Sequence, residues 1–224
     1  MKRAVMVMMV VGALILAACS EDDPAQEVTQ GEELFAVGFD APGTWEEGAY
    51  PADAPTSILT IADGRYEIEH RAEGSSSFTW GAGGEDYQNV IVEVNAEQLS
   101  DENDNLYGVA CRLAENSDGS QNGYALLISG DGHYGIATIR NDTLNFLLDW
   151  HQSDAIHQGQ AANTIRAVCV DDYLAIYANG TFLGDVTDST YLRPGQVGLV
   201  AGVTRDSAVR IAFDDLTGYD GALE

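Results

Sequence analysis

Residues 106–140 read LYGVACRLAENSDGSQNGYALLISGDGHYGIATIR, and this stretch decides the fold. Apolar side chains recur at every second position through Leu106–Ala114, Tyr124–Ser129 and His133–Arg140. Between these runs stand Asn116-Ser117-Asp118-Gly119-Ser120 and Gly130-Asp131-Gly132. A period of two is the signature of a strand, and Gly, Asn and Asp clusters mark the turns between strands. From Leu34 onward the same pattern predicts strands at Ser57–Ala62, Arg65–His70, Phe78–Gly81 and Asn89–Leu99. It continues through Thr143–Trp150, Thr164–Asp171, Tyr173–Asn179, Phe182–Thr187, Gln196–Val203 and Ala208–Leu216. Asp63-Gly64, Asn141-Asp142 and Asn179-Gly180 are short turns that call for positive φ. No stretch carries a convincing helical stripe, and no fixed-period repeat or second domain is visible. So many short strands with tight turns predict an all-β protein, a two-sheet antiparallel sandwich.

The chain has 224 residues, 45% of them hydrophobic, enough for one core or at most two small ones. Ten Lys and Arg stand against 36 Asp and Glu, a formal charge of −26. That balance excludes a nucleic-acid binder, which needs a basic footprint, and a polybasic membrane-surface domain. Disorder is excluded too, because apolar residues recur in strand-like runs throughout.

Several motifs carry a resemblance. Tyr107-Gly108-Val109-x-Cys111-Arg112 is followed by Gly123-Tyr124-x-Leu126-x-Ile128-x-x-Asp131-Gly132-x-Tyr134 and by Trp150-x-x-Ser153-x-Ala155-Ile156. Then come Asn163-x-Ile165-Arg166-Ala167-x-Cys169, Leu174-x-Ile176-Tyr177-x-Asn179-Gly180, Gly195-x-Val197-Gly198-Leu199 and Phe213-Asp214-Asp215-Leu216. The set resembles the concanavalin A-like lectin/glucanase jelly rolls, in their laminin-G-like extracellular bacterial branch, over about Leu34 to Tyr219. The resemblance implies a concanavalin A-like jelly roll over 34–224. It does not choose among lectin, hydrolase and adhesion module.

The first residues give an address. Lys2 and Arg3 precede the uncharged run Ala4 to Ala18, which has the length of a signal-peptide core and is short for a membrane span. The run ends in Leu16-Ala17-Ala18-Cys19, which resembles the lipobox of bacterial lipoproteins. That resemblance implies a signal peptide over 1–18, cleavage after Ala18 and lipidation of Cys19, the domain facing the extracytoplasmic side of the cell or outer membrane. The alternative is a plain secretory signal with an incidental cysteine. The mature chain would hold eight basic residues, all arginine, against 36 acidic ones. Residues 19–33 (CSEDDPAQEVTQGEE) read as an acidic, solvated tether, the alternative being an acidic recognition segment.

With Cys19 assigned to lipid, Cys111 and Cys169 remain as a pair in an oxidising space, which implies a disulfide. Face parity agrees: Tyr107, Val109, Cys111 and Leu113 share one face, and Ile165, Ala167 and Cys169 another. Two buried free thiols are the alternative.

Chemistry is sparse. The E-x-D-x-x-E string of the laminarinase-type glucanases is missing, as are G-x-S-x-G, H-E-x-x-H and a phosphate loop. Glu93, and Glu67 with Glu69, read as isolated strand acids on a solvated face. His151 and His157 flank a loop whose spacing could suit a metal, a polar loop being the simpler reading. Asp101, Asn103 and Asn105 form a calcium-style oxygen cluster in Asp101-Glu102-Asn103-Asp104-Asn105, in a superfamily branch that often holds calcium at the sandwich rim. The segment lacks the glycine and trailing glutamate of an EF-hand loop, and a hydrophilic hairpin connection is the alternative. Opposite the cysteine face, Arg112, Arg166, Asn145 and Asp149 could hydrogen-bond sugar hydroxyls while Trp150 or Tyr177 stacks on a pyranose. A half-solvated sheet face with a salt bridge is the alternative. Trp45 and Trp80 read as core. The expected function is a non-catalytic extracellular binding module, for glycan. The rivals are a glycoside hydrolase with an unfamiliar carboxylate pair and a protein-interaction domain of the cell envelope.

Overall fold

The computed structural model describes residues 28–43 and 45–224, and every regular element in them is a strand. In chain order these are β1 (Val28–Val37), β2 (Gly48–Tyr50), β3 (Ser57–Ala62), β4 (Arg65–Arg71) and β5 (Ser77–Tyr87). Next come β6 (Val90–Gln98), β7 (Asn105–Glu115), β8 (Gln121–Ile128), β9 (His133–Arg140) and β10 (Thr143–Gln152). The chain ends with β11 (Ala162–Val170), β12 (Tyr173–Ala178), β13 (Thr181–Thr187), β14 (Gly195–Val203) and β15 (Ala208–Leu223). One sheet runs β13-β12-β11-β6-β15-β4-β3-β2, with β1 also paired to β15; the other runs β10-β9-β8-β7-β14-β5. All pairs are antiparallel, as the all-β sandwich reading expects.

Alternation builds the core between the sheets. Val90, Val92, Val94 and Ala96 of β6 face Tyr124, Leu126 and Ile128 of β8 in one buried cluster. On β8 the residues between them, Ala125 and Leu127, are equally buried on the outer side. Strands covered on both faces read as nearly continuous apolar runs, which is why β7, β8 and β14 look so uniform. The three short turns behave as their sequences demand: Asp63, Gly64, Asn141, Asp142, Asn179 and Gly180 all have positive φ.

Cys111 of β7 and Cys169 of β11 form a disulfide that ties the two sheets through the core, with Cα atoms 6.7 Å apart. Parity holds for Tyr107, Val109 and Cys111 but fails at Leu113. A β-bulge interrupts the β7–β8 register after Cys111, with Arg112 at φ 54°, and turns Leu113 to the outer cluster. Opposite the bulge stands Gly123, where a Cβ would lie 2.9 Å from the Cys111 carbonyl oxygen.

The edges depart most from expectation. β1 starts at Val28, so Val28–Glu33 of the expected tether are sheet residues paired with the end of β15. β15 runs on to Leu223 because a bulge after Asp214, with Asp215 at φ 51°, resets its alternation and lets it pair with both β6 and β1. Cys19, the leader and residues 20–27 lie outside the described residues.

Candidate functional site

The outer face of the six-stranded sheet is a trough. Its floor is aliphatic: Leu106 and Ala110 of β7, Ala125 and Leu127 of β8, Ile139 of β9 and Val200 of β14, all buried. The walls come from the two edge strands, β5 with Phe78 and Trp80, and β10 with Leu144, Phe146 and Trp150. Small residues at the centre of a sheet and rings at both edges make a concavity. β10 owes its side chains' directions to two register irregularities, one on either side of Leu148. They send Leu148 into the core while Leu144, Phe146 and Trp150 stay on the trough side. Phe78 and Trp80 lie with ring centres 5.6 Å apart, and Phe146 and Trp150 5.2 Å apart, each pair tilted. Where Phe78, Leu106, Leu144, Phe146 and Trp150 line it, the trough encloses about 490 Å³, within the range of pockets that hold compact organic ligands. Ser77, Asp142, Thr143 and Thr204 add polar atoms to its lining.

A smaller hollow of about 210 Å³ adjoins it, sharing Trp150 and Thr204 and adding Asp104, Asn105, Ser129, Asp131 and His133. Its acids are already engaged. The Asp104 carboxylate accepts the Thr204 hydroxyl, and Asp131 Oδ1 lies 2.9 Å from His133 Nδ1. Burial pushes the Asp131 carboxyl up, but hydrogen bonds from Ser129 and His133 outweigh it and hold the group below its ordinary value. At neutral pH Asp131 is a carboxylate, not a proton donor.

The structure separates the residues expected to form one binding face. Trp150 lines the trough; Asn145 and Asp149 share its strand, yet both are exposed, Asn145 donating to the Thr143 carbonyl and Asp149 capping the Trp150 amide. Arg112 is not on a binding surface. It is 2% exposed, donates from Nε to the Gln88 carbonyl at 2.6 Å and from Nη1 to the Tyr191 carbonyl at 3.1 Å, and lies over the Tyr124 ring. Arg166 belongs to the other sheet, on its outer face, bonded to Glu93 at 2.5 Å and Gln30 at 2.7 Å. Tyr177 is on that sheet too, packed edge-on against Phe182 in a separate apolar cluster. The bulge and the assignment of β7 and β11 to different sheets undo the grouping. Glu67 departs from the solvated reading as well: it is 4% exposed, gripped by Arg210 at 2.5 Å and by Arg65 at 3.6 Å.

The proposed calcium oxygens do not fit an ion. Asn105 is buried, giving Nδ2 to Gln98 and to the Glu102 carbonyl and taking the Gly130 amide on Oδ1. Asn103 Oδ1 takes the Gln98 amide, while Asp101 is exposed. The segment uses its side chains to hold its own loop, and no group of three His, Cys, Asp or Glu converges among the described residues. His151 and His157 each bond a backbone carbonyl through Nδ1, of Asp149 and Ala162 respectively.

Phe78, Trp80 and Phe146 escaped the sequence reading. Trp45 is buried in the core as expected, but Trp80 is on the outer face. Its signal was present: Phe78-x-Trp80 and Leu144-x-Phe146 are apolar on the same parity as the outer side of neighbouring strands.

No family model matches the chain, and no curated protein matches it. Solved structures do. A carbohydrate-binding module, CBM66, from Bacillus subtilis superimposes with a TM-score of 0.58 at 15% identity, over 79% of this chain and 96% of that one. A Bacillus subtilis protein of unknown function with a galectin-like fold gives 0.63 at 11% identity, over 88% and 100%. A Bacillus licheniformis beta-glucanase gives 0.58 at 11%, over 85% and 98%. At these identities the likeness establishes the jelly-roll fold, which carbohydrate-binding modules and glucanases share with this chain.

Proposed function

We propose that this chain is a lipid-anchored extracytoplasmic module that binds glycan in the trough of its six-stranded sheet without cleaving it. One observation carries the reading: rings stand on both walls over a sealed aliphatic floor, so the accessible surface is aromatic and rimmed by hydroxyls and carboxylates. Pyranose rings stack their C–H faces on aromatic rings while their hydroxyls find polar partners at the edge, and such a surface needs no reactive group. Glycosidic hydrolysis needs two carboxyl groups facing across the scissile bond, one of them a proton donor. The floor instead presents Leu106, Ala110, Ala125, Leu127 and Val200. Likeness to a carbohydrate-binding module agrees with binding; likeness to a glucanase is likeness of fold.

Titrating the full chain against a panel of neutral oligosaccharides should reveal a ligand whose affinity falls at least about tenfold in Trp150→Ala and in Phe78→Ala, the loss of one stacking partner each. No reducing sugar should be released. Turnover abolished by changing a single Asp or Glu would install the hydrolase instead. The aliphatic floor favours one second reading, a protein-interaction surface of the envelope, which takes first place if neither binding nor turnover is found. The anchor rests on Leu16-Ala17-Ala18-Cys19. Cys19→Ala should release the protein from membranes, and a mature N-terminus elsewhere, without acyl mass, would refute lipidation.

A further inference from the structure

The trough's charge is one-sided. Among the ionisable side chains lining it and the adjoining hollow, Asp142, Asp104 and Asp131 are acids, and His133 is bonded to Asp131. Among the described residues, no arginine lines either space. Arg205, beside the rim, is held by Glu102 at 2.7 Å and Asp104 at 3.6 Å. Arg65, Arg166 and Arg210 are bonded to Glu97, Glu93 and Glu67 on the other sheet, and Arg112 is sealed in its bulge. Lysine does not occur beyond residue 2, and the chain as a whole carries −26.

Resting on the glycan reading of the same site, we infer that the trough selects uncharged oligosaccharides and rejects chains bearing uronate, sulfate or phosphate. An acidic sugar entering it would bring an anion beside carboxylates, with low-dielectric rings on both sides to concentrate the repulsion. It would also lose hydration with no guanidinium or ammonium to replace the water. A neutral sugar meets neither penalty. Asp142 Oδ1 accepts the Gln121 backbone N–H, which fixes the carboxylate on the trough lining as a hydrogen-bond acceptor for hydroxyls. Neutral hydroxyls donate to such a group readily, and a carboxylate ligand cannot donate at all.

The test uses the full chain and a matched pair: the neutral oligosaccharide that binds best in the panel and its carboxymethylated form. At about 20 mM salt the carboxymethylated form should bind at least tenfold more weakly, and the gap should narrow at about 500 mM, where screening shortens the reach of the rim charges to a few ångströms. The double variant Asp104→Asn, Asp142→Asn removes the charge while keeping one side-chain oxygen at each position, and it should narrow the gap at low salt. Equal or tighter binding of the carboxymethylated form, or a gap indifferent to salt and to the double variant, overturns the inference while leaving glycan binding intact. Glucosamine oligomers serve as the opposite charge, and stronger binding of these than of any neutral chain would overturn it in favour of cation capture. Loss of all sugar binding in the panel would instead remove the glycan reading itself.

Discussion

The Cys111–Cys169 bond joins the two sheets at the centre of the core, and its contribution can be worked from the chain it closes. The cysteines are 58 residues apart. In the chain-entropy model, −2.1 − 1.5R ln n gives about −14 cal/mol/K for such a loop, or about 4 kcal/mol at 25 °C. Both side chains are fully buried, so replacing them with alanine also removes two packed sulfur atoms, each worth about 1 kcal/mol. Cys111→Ala, Cys169→Ala should therefore lower stability by roughly 5–6 kcal/mol. At 2–4 °C per kcal/mol for a domain of this size, the melting temperature should fall by roughly 10–20 °C. Urea unfolding followed by fluorescence supplies the measurement and a second signature. A cross-link restricts the unfolded chain, so its removal should raise the denaturant slope m as well as lower the midpoint. Losing two sulfurs from a reduced core would lower stability by about 2 kcal/mol and leave m unchanged. That outcome, with both thiols freely alkylated in the native-source protein, would refute the cross-link.

Arg112→Ala should destabilise the fold by about 2–5 kcal/mol, because it removes a buried side chain whose guanidinium donates to the Gln88 and Tyr191 carbonyls. Ligand affinity measured well below the melting temperature should not change, and a loss of affinity without a loss of stability would return Arg112 to the binding surface. His70 is buried between the Ser57 and Ser77 hydroxyls, at 2.9 and 2.7 Å, bridging the two sheets. Burial lowers its pKa from the ordinary 6.5, more than its bond to Ser77 raises it. The unfolded chain then takes up the proton first, so the stability linked to this group is complete above pH 6.5 and is lost as pH falls below it toward the depressed folded value. His70→Gln should flatten the fall in stability between pH 6.5 and 5, and identical slopes for the two proteins would exclude His70 as its source.

The central strands were legible because they obey one rule throughout. Thr143, His133 and Ser57 begin strands where the alternation places them, and the turn pairs at Asp63, Asn141 and Asn179 adopt positive φ, which their residue types tolerate. The site was not legible, for two physical reasons. Bulges change side-chain direction without changing sequence character, so Arg112 and Leu113 exchanged the faces that alternation gave them, and Leu148 entered the core from a strand whose other rings face out. Parity along one strand also says nothing about which sheet the strand joins. Arg112 and Arg166 were grouped because alternation sets each on the face opposite its strand's cysteine, but the disulfide that joins those cysteines spans the core, so the two arginines belong to different sheets. The pairing that was read correctly is thus the reason the binding face was read wrongly.

The two outer faces show how so acidic a chain can still recognise something. On the nine-stranded sheet, Arg65, Arg166 and Arg210 interleave with Glu67, Glu69, Glu93 and Glu97, and each arginine is bonded to at least one of them. That face neutralises itself; its exposed pairs, such as Arg210–Glu69, add little stability, whereas Glu67 is buried. Ten basic residues cannot balance 36 acids, so the surplus repels anions wherever the surface is open. A ligand site on such a protein has to draw its affinity from contacts that do not depend on charge. The six-stranded sheet supplies them by placing Phe78 and Trp80 on one edge strand and Phe146 and Trp150 on the other. Rings held apart by a floor of Ala110, Ala125 and Val200 remain available to a partner and are kept from collapsing on one another. The spacing between the walls, set by the number of strands between β5 and β10, therefore fixes the width of what can enter.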